Sequence, residues 1–241
     1  MEPRATSLLQ VIERQCRRWE QQRSQRESAR APVHWPIIIV SREFGARGEA
    51  LGRLVAERAG FTFWDDELVH TVADESGADT ALLKSLDEHL RNAIEDSIEG
   101  ALLGGKYMGS EYLRRLMKLI HTIAAHGSGV VVGRGAHYAV ASDQALSVRV
   151  VCPLDERIRG YAERQGIDER HARQKVEGED RARGAFVRKY FSRDPATPSD
   201  YDITVNTGSF SLERAAGIVL EAYEAKFQRH PTLRAEAGQF S

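Results

Sequence analysis

The sequence predicts an α/β protein with a parallel β-sheet covered by helices on both faces. Short apolar runs of strand length alternate with amphipathic helical patterns from residue 36 to about residue 229, and this alternation is typical of that architecture. The first run, PIIIVS, is continuously apolar, as expected for a strand that is buried on both faces. The chain has 241 residues, which is long enough for one sizeable core with small appendages.

The first predicted element is an N-terminal helix over residues 5 to 29. Its apolar residues recur at steps of three and four, and they are Leu8, Leu9, Ile12, Cys16 and Trp19. The polar run that ends at Pro32 predicts a linker, so residues 1–34 form an N-terminal helix and linker. We expect the helix to pack on its own domain or on a second subunit, which allows a homodimer. A helix that binds a partner or nucleic acid is the alternative.

Five strands and the helices that connect them follow in order. The predicted strand segments are PIIIVS, FTFWD, GVVVGRG, LSVRVVCP and YDITVNT. Helices are predicted over residues 48–60, 66–126 with a break at GGKYMGS, 154–191 and 211–229. Gly60 is the expected stop of the first of these helices. Residues 230–241 lack such a pattern and predict a flexible tail.

Composition and charge exclude several classes of protein. The formal net charge is -1, so no overall attraction to nucleic acid or to an anionic membrane is expected. No apolar run approaches about 18 residues and the N-terminus lacks the pattern of a signal peptide, so we expect neither a membrane span nor a secretion signal. The two cysteines, Cys16 and Cys152, are far apart and fit a reducing cytoplasm.

The stretch VSREFGARGEALG joins the first strand to the next helix and has features of a phosphate-binding loop. Gly45 and Gly48 allow backbone N–H groups to turn inward, and the following helix presents its positive end to an anion. The lysine and the hydroxyl residue that complete such loops are absent, so a simple connection is the alternative. Ligands of parallel sheets bind at the carboxyl ends of the strands, where Asp65, Asp66 and residues 133–135 also lie.

Four segments carry a resemblance to a known family. IIIVSREFGARGEALGRLVAERAGFTFWDDELV, VVVGRGAHY, EDRARGAFVRKYF and YDITVNT occur in the same order as in the cytidylate kinase-like family, a branch of the P-loop nucleoside monophosphate kinases. The chain resembles this family from about residue 36 to 225. The resemblance implies a three-layer P-loop kinase-like fold with a five-stranded parallel sheet, a helical insert and an arginine-rich lid. The implied domain covers residues 35–229, with the lid at about 166–198.

The sequence departs from authentic cytidylate kinases in the loop. Aligned without gaps, Gly45 falls on a loop glycine, whereas Gly48 and Ala50 take the positions of the lysine and the hydroxyl residue. A shift by one residue places Arg47 at the lysine position instead. In the third strand, the acidic residues that flank the Gly-Arg pair of those enzymes are absent from VVVGRGAHY.

The resemblance implies ATP-dependent phosphoryl transfer to a nucleoside monophosphate, with CMP or dCMP as the first acceptor to test. It implies ATP and Mg²⁺ as cofactors and small-molecule nucleotides as ligands. One alternative is a non-catalytic nucleotide-binding module with a regulatory or partner-binding role, which the missing lysine and hydroxyl favour. Another is a kinase for a different small acceptor.

The candidate ATP-binding residues follow the first strand and end the fifth. They are Gly45, Ala46, Arg47, Gly48, Glu49, Ala50 and Asn206. Arg47 is the candidate for the work of the missing lysine, because a guanidinium offers a planar, always charged fork to phosphate oxygens. Glu49 and Asp66 are candidate Mg²⁺ ligands, directly or through water. The alternative for Asn206 is that it only ends its strand.

The remaining candidates belong to the lid and the acceptor site. Arg181 and Arg188 are seven residues apart and share a helical face, so they join Arg47 as the catalytic candidates. The candidate acceptor-binding residues are Arg42, Asp66, Arg134, Arg183 and Arg193. The alternative for each arginine is an ion pair with a nearby carboxylate, and the alternative for Asp66 is a helix cap.

Overall fold

The computed structural model describes residues 14–21, 34–67, 69, 71, 82–103, 110–133, 135–229 and 231. These residues include all five predicted strands and the helices that cover them. Most of the predicted N-terminal helix, the candidate Arg134 and all but one residue of the predicted tail lie outside them.

Five parallel strands form the central sheet. They are β1 (Ile37–Arg42), β2 (Thr62–Trp64), β3 (Gly129–Val132), β4 (Ala145–Val151) and β5 (Ile203–Asn206). Their order across the sheet is β2-β3-β1-β4-β5. The central position of β1 is fixed by its register, since Ile38 pairs with Val130 on one side and with Leu146 on the other. The predicted five-stranded parallel sheet is confirmed.

The strand order opens a crevice at the carboxyl edge of the sheet. From β1 the chain continues to β2 on one side, whereas from the neighbouring β4 it continues to β5 on the other side. Two adjacent strands whose connections leave in opposite directions mark the place where open α/β sheets bind ligands. The glycine-containing loop after β1 lies at this point.

Apart from the helical segment at residues 14–21, six helices connect or follow the strands in the described part of the chain. They are α1 (Gly48–Ala59), α2 (Glu88–Leu103), α3 (Glu111–His126), α4 (Leu154–Gln165), α5 (Glu169–Phe191) and α6 (Leu212–Phe227), and short 3-10 helices lie at Ala136–Tyr138 and Pro198–Asp200. The predicted helix stop at Gly60 is confirmed, because this residue has a left-handed φ of 63° and ends α1. The side chain of Asp168 caps α5 by accepting from the N–H of His171.

The two faces of the sheet carry separate hydrophobic cores. Successive side chains of a strand point to opposite faces, so Ile38 and Val40 pack with α1 and α6, whereas Ile37 and Ile39 pack with α2 and α3. This arrangement is the predicted three-layer architecture. The apolar run of β1 is continuous because both of its faces are buried.

The described part of the N-terminal segment, residues 14–21, is helical and packs on its own domain. Trp19 is only 4% exposed. Its ring stacks on His126 with a centroid separation of 3.8 Å and lies 5.9 Å from the ring of Trp64. The described end of the predicted apolar stripe is therefore buried within the chain itself.

Two further features bear on the environment of the protein. Cys16 and Cys152 are both free thiols. Across the part of the chain that the structure describes, no helix has the length and apolar character needed to traverse a lipid bilayer.

Candidate active site

Two cavities open at the carboxyl edge of the sheet and share a wall. The loop cavity, of about 750 Å³, lies along residues 43–50 and extends to α4 and the start of α6. The strand-end cavity, of about 320 Å³, lies over the ends of β1 and β3 beside α5. Arg42, Glu43 and Arg183 line both cavities. Ligands in the two cavities would therefore meet at these three side chains.

The loop after β1 adopts a conformation that exposes main-chain donors. Gly45 has a φ of 82° and Arg47 a left-handed φ of 57°, which costs a non-glycine residue about 1–2 kcal/mol. Gly48 must be glycine, because a Cβ there would lie 2.5 Å from the Cβ of Arg42. Within the described residues, no acceptor is bonded to the N–H groups of Gly45, Arg47, Gly48, Glu49 and Ala50. All five residues line the loop cavity.

Thr207, which directly follows β5, makes two hydrogen bonds that hold this loop in place. The guanidinium of Arg47 donates to the carbonyl oxygen of Thr207. The hydroxyl of Thr207 donates to the carbonyl oxygen of Ala46 at 2.8 Å, and Ala46 itself is fully buried. Asn206 lines neither cavity, and its side-chain oxygen accepts from the N–H of Gly208 at 2.9 Å. In this structure Asn206 shapes the turn after β5.

The strand-end cavity contains a buried ion pair. Arg42 is 8% exposed and contacts Asp66 at 3.1 Å. Gly133, with a φ of 87°, makes room for the pair, because a Cβ there would lie 2.1 Å from Arg42 Nη1 and 2.6 Å from Asp66 Oδ1. The structure therefore brings together two of the predicted acceptor-binding residues, and the carboxylate that pairs with Arg42 is that of Asp66.

Arg183, in the predicted lid region, lines both cavities. Its guanidinium lies 5.3 Å from the centre of the Phe44 ring. Burial lowers the pKa of Arg183 to about 10, and the nearby charge of Arg42 lowers it in the same direction. The side chain is still cationic at neutral pH. Two guanidinium groups in one wall between two cavities form a place suited to an anionic group.

The structure places the other lid candidates away from both cavities. Arg181 is 71% exposed and contacts Glu177 at 3.7 Å, and Arg188 is 58% exposed and lies 4.0 Å from Asp194. Arg193 is also exposed. None of the three lines either of these two cavities, so their roles on closure of a lid stay predictions.

The two candidate Mg²⁺ ligands lie in different cavities. Glu49 lines the loop cavity and contacts Arg53 at 3.3 Å, whereas Asp66 lines the strand-end cavity. Among the described residues, no group of three or more potential ligands could hold a metal ion by itself. The donor set fits a magnesium ion that is held mainly by phosphate oxygens and water, with one carboxylate from the protein.

A chain of polar side chains, not predicted from the sequence, joins β4 to β1 and to the residues before β5. Arg149 Nη1 donates to Ser41 Oγ at 2.9 Å, and this oxygen lies 3.2 Å from the hydroxyl of Tyr201. Ser41 and Arg149 both line the strand-end cavity. A signal was present in the sequence, since Arg149 is the single charge in the apolar run LSVRVVCP.

His137 lies behind this polar chain with a neutral ring. Among the described residues, neither ring nitrogen of His137 has a hydrogen-bond partner, and both are buried. The ring packs against Tyr138 and Tyr201 with centroid distances of 3.8 and 4.6 Å. Burial lowers the pKa of His137 to about 3, and the positive charge of Arg149 contributes in the same direction. Protonation at this position is therefore disfavoured in the folded state.

This lowered pKa predicts a loss of stability in acid. Between pH 6.5 and pH 3 the unfolded chain protonates residue 137 and the folded chain does not, so stability falls as pH falls. From pH 7 to pH 5 we expect the wild type to lose about 2 kcal/mol more than His137→Phe. Urea unfolding of both proteins at the two pH values measures this difference. Equal losses would show that residue 137 titrates normally in the folded protein.

Comparisons with known proteins agree with the architecture. The model of the "Cytidylate kinase-like family" matches residues 37–209. The structure of an uncharacterized protein from Eubacterium ventriosum superposes with a TM-score of 0.60 at 20% identity, and covers 79% of this chain and 99% of that one. A shikimate kinase from Bacteroides thetaiotaomicron gives a TM-score of 0.45 at 12% identity, over 78% of this chain and 98% of that one.

A curated relative matches only part of the chain. A uronate isomerase from Corynebacterium glutamicum is 29% identical over 108 residues, which are 44% of this chain and 21% of that protein. The chain thus spans about a fifth of the length of this relative, and the activity in its name describes that protein alone. The family match covers most of the present chain. It includes the loop after β1 and the strand ends that line the two cavities. The chain belongs to the cytidylate kinase-like family.

Proposed function

We propose that the protein is an ATP-dependent cytoplasmic kinase that phosphorylates a nucleoside monophosphate, with CMP or dCMP as the acceptor. Family membership supports a nucleotide kinase-like role. The observation that carries the proposal is the common wall of the two cavities at Arg42, Glu43 and Arg183. Two nucleotides bound on either side of this wall would bring a donor and an acceptor phosphate together, and positioning is most of what phosphoryl transfer requires.

In this proposal the loop cavity binds ATP. The N–H groups of Gly45 and of residues 47–50, which have no acceptor among the described residues, bind the phosphate tail together with the N-terminus of α1. Arg47 adds a positive charge. In the strand-end cavity, Arg42 binds the acceptor phosphate. An oxygen of that phosphate attacks the γ-phosphorus, the bond to the β–γ bridging oxygen breaks, and ADP leaves. Arg183 lies where the negative charge develops.

Magnesium fits this site as a partner of the nucleotide. Bound to the triphosphate, it would neutralise charge on the β- and γ-phosphate oxygens. Glu49 is the carboxylate in the loop cavity that would hold it through water, and Asp66 instead orients Arg42.

The direct test is a coupled assay of ADP release over CMP, dCMP, UMP and AMP. The proposal predicts turnover that depends on Mg²⁺ and is fastest with CMP or dCMP. Turnover with another of these acceptors would correct the substrate, and the absence of turnover with every one of them would contradict the proposed activity.

Arg47 allows a prediction about ATP binding. Loss of a charge-assisted hydrogen bond costs about 1.5–3 kcal/mol, so Arg47→Ala is expected to weaken ATP binding roughly 10- to 100-fold in calorimetry with Mg²⁺. Arg47→Gly should weaken it equally but fold more stably than Arg47→Ala, by about 1 kcal/mol, because glycine accepts the left-handed φ of this position. Unchanged ATP affinity in both variants would remove Arg47 from the site.

The second candidate is a nucleotide-binding module without catalysis. It is favoured by the contact of Arg47 with the Thr207 carbonyl, which occupies the guanidinium that should replace the lysine. None of the described residues that line the two cavities is a lysine. ATP binding in calorimetry without turnover of any acceptor would identify such a module, whose N-terminal helix could contact a partner or a second subunit.

A further inference from the structure

A buried arginine connects the phosphate loop to the lid helices. Arg157 of α4 has a side chain that is 7% exposed. It donates to the carbonyl oxygens of Cys152 at 2.9 Å and Phe44 at 3.0 Å, and it lies 3.5 Å from the carboxylate of Glu43. A buried guanidinium is stable only when its donors are paired. Arg157 therefore keeps the backbone of the loop in one position relative to β4 and α4.

Asp180 of α5 completes the connection. One of its carboxylate oxygens accepts from Arg157 Nη1 at 2.5 Å, and the other accepts from the backbone N–H of Phe44 at 2.7 Å. The lid helix thus holds a main-chain amide of the phosphate loop directly. Asp180 also lines the strand-end cavity, so a residue beside the proposed acceptor site contacts the loop.

The two ends of helix α5 pack in different hydrophobic clusters. Its first half packs in a small cluster with α4, whereas Phe191 at its end belongs to the core under α3. Gly178 lies between them, and a Cβ there would meet nothing closer than Arg181 Nη2 at 3.9 Å. Packing does not require this glycine, which weakens the helix by about 1 kcal/mol relative to alanine. Gly178 therefore makes α5 easier to bend just before the section that carries Asp180 and Arg183.

We propose that Arg157 and Asp180 are positioning residues that couple the phosphate loop to the lid helix. This inference rests on the proposed function for its ligands. If a ligand in the strand-end cavity moves the middle of α5, the hydrogen bond between the Asp180 carboxylate and the Phe44 N–H changes. The positions of the main-chain N–H groups in the loop then change as well. Binding in the two cavities is then cooperative, and the cooperativity depends on the Arg157–Asp180 pair.

The experiment compares Asp180→Asn with a matched control. Arg173→Gln removes another ion pair between α5 and α4, an exposed one with Asp155 at 3.0 Å. A non-hydrolysable ATP analogue is titrated into each protein with and without CMP. In the wild type and in Arg173→Gln, we expect CMP to tighten binding of the analogue by about 5-fold or more. In Asp180→Asn we expect this factor to fall close to 1. A factor that persists in Asp180→Asn overturns the proposal, and so does a wild type that binds both ligands independently.

A second measurement does not need the nucleotides. In the unliganded protein, Asp180→Asn should accelerate amide hydrogen exchange in residues 43–47 and 177–184 together, whereas Arg173→Gln should leave both segments unchanged. Because Asp180→Asn removes the charge that lies against the buried guanidinium of Arg157, exchange is also measured in the double variant Arg157→Met with Asp180→Asn, in which that guanidinium is absent. Unchanged exchange in the loop of both Asp180 variants overturns the proposal. If the wild type binds neither nucleotide, the proposed function fails. Amide hydrogen exchange in residues 43–47 then decides by itself whether the Arg157–Asp180 pair holds the loop.

Discussion

Replacement of Arg183 by glutamine is expected to lower the turnover number by about 10²–10³-fold, the effect of removing one preorganised donor from a charge that develops during reaction. Arg183 lines both cavities, and its guanidinium is held over the Phe44 ring near Arg42. The measurement is steady-state ADP release at saturating ATP and acceptor. We expect the KM for ATP to change far less than the turnover number, because the charge matters most in the transition state.

Two further variants sharpen this test. Arg170→Gln removes an exposed arginine from the same helix and should leave turnover unchanged. Arg183→Lys keeps the positive charge but loses the planar fork, so it should give an intermediate rate. If Arg183→Gln turned over normally while Arg181→Gln did not, α5 would have to rotate before reaction, and the described conformation would not be the catalytic one.

Sequence spacing favours Arg181 and Arg188, whereas the structure places Arg183 in the wall of both cavities. Their spacing of seven correctly predicts a shared face, but spacing alone does not say which face meets the sheet. Val176 and Val187 are buried, and Arg183 lies seven residues after the first and four before the second. The apolar residues therefore place Arg183 on the inner face of α5 and Arg181 nearly opposite.

The role of Arg157 could not be derived from the local sequence. Within LDERIRGYAERQ, Arg157, Arg159 and Arg164 all stand among acidic residues in an amphipathic pattern, and such residues are usually exposed. Arg157 is buried because its partners come from the loop after β1 and from α5. These contacts join residues that are distant in sequence, so no local pattern predicts them.

The sheet was more accessible to sequence reasoning than the site. The continuous apolar run of β1 predicts a strand buried on both faces, and the alternation of strands and helices predicts parallel pairing. Both are local patterns, and both are confirmed. The order of the strands and the pairing of Arg42 with Asp66 through the space at Gly133 depend on tertiary packing. Local pattern therefore predicted the strands of the sheet, but neither their order nor the pairing of side chains at its carboxyl edge.

The second large effect is expected at the N-terminal helix. Trp19→Ala should lower the free energy of unfolding by about 3–5 kcal/mol, as other truncations of buried aromatic residues do. The reason is the loss of a side chain that is 4% exposed and packed between His126 and Trp64. Urea denaturation measures the change. Arg18→Ala, at an exposed position of the same helix, should stay within about 0.5 kcal/mol of the wild type.

The same variant separates two roles of this helix. If Trp19 stabilises its own domain, the loss of stability will be independent of protein concentration. If it stabilises a dimer, the midpoint of unfolding of the wild type will rise with concentration and that of Trp19→Ala will not. Trp64 ends β2 one residue before Asp65, so a loosened Trp19 pocket should also weaken the Arg42–Asp66 pair. A raised KM for the acceptor in Trp19→Ala, with the KM for ATP unchanged, would show that residues 14–21 support the acceptor site from behind.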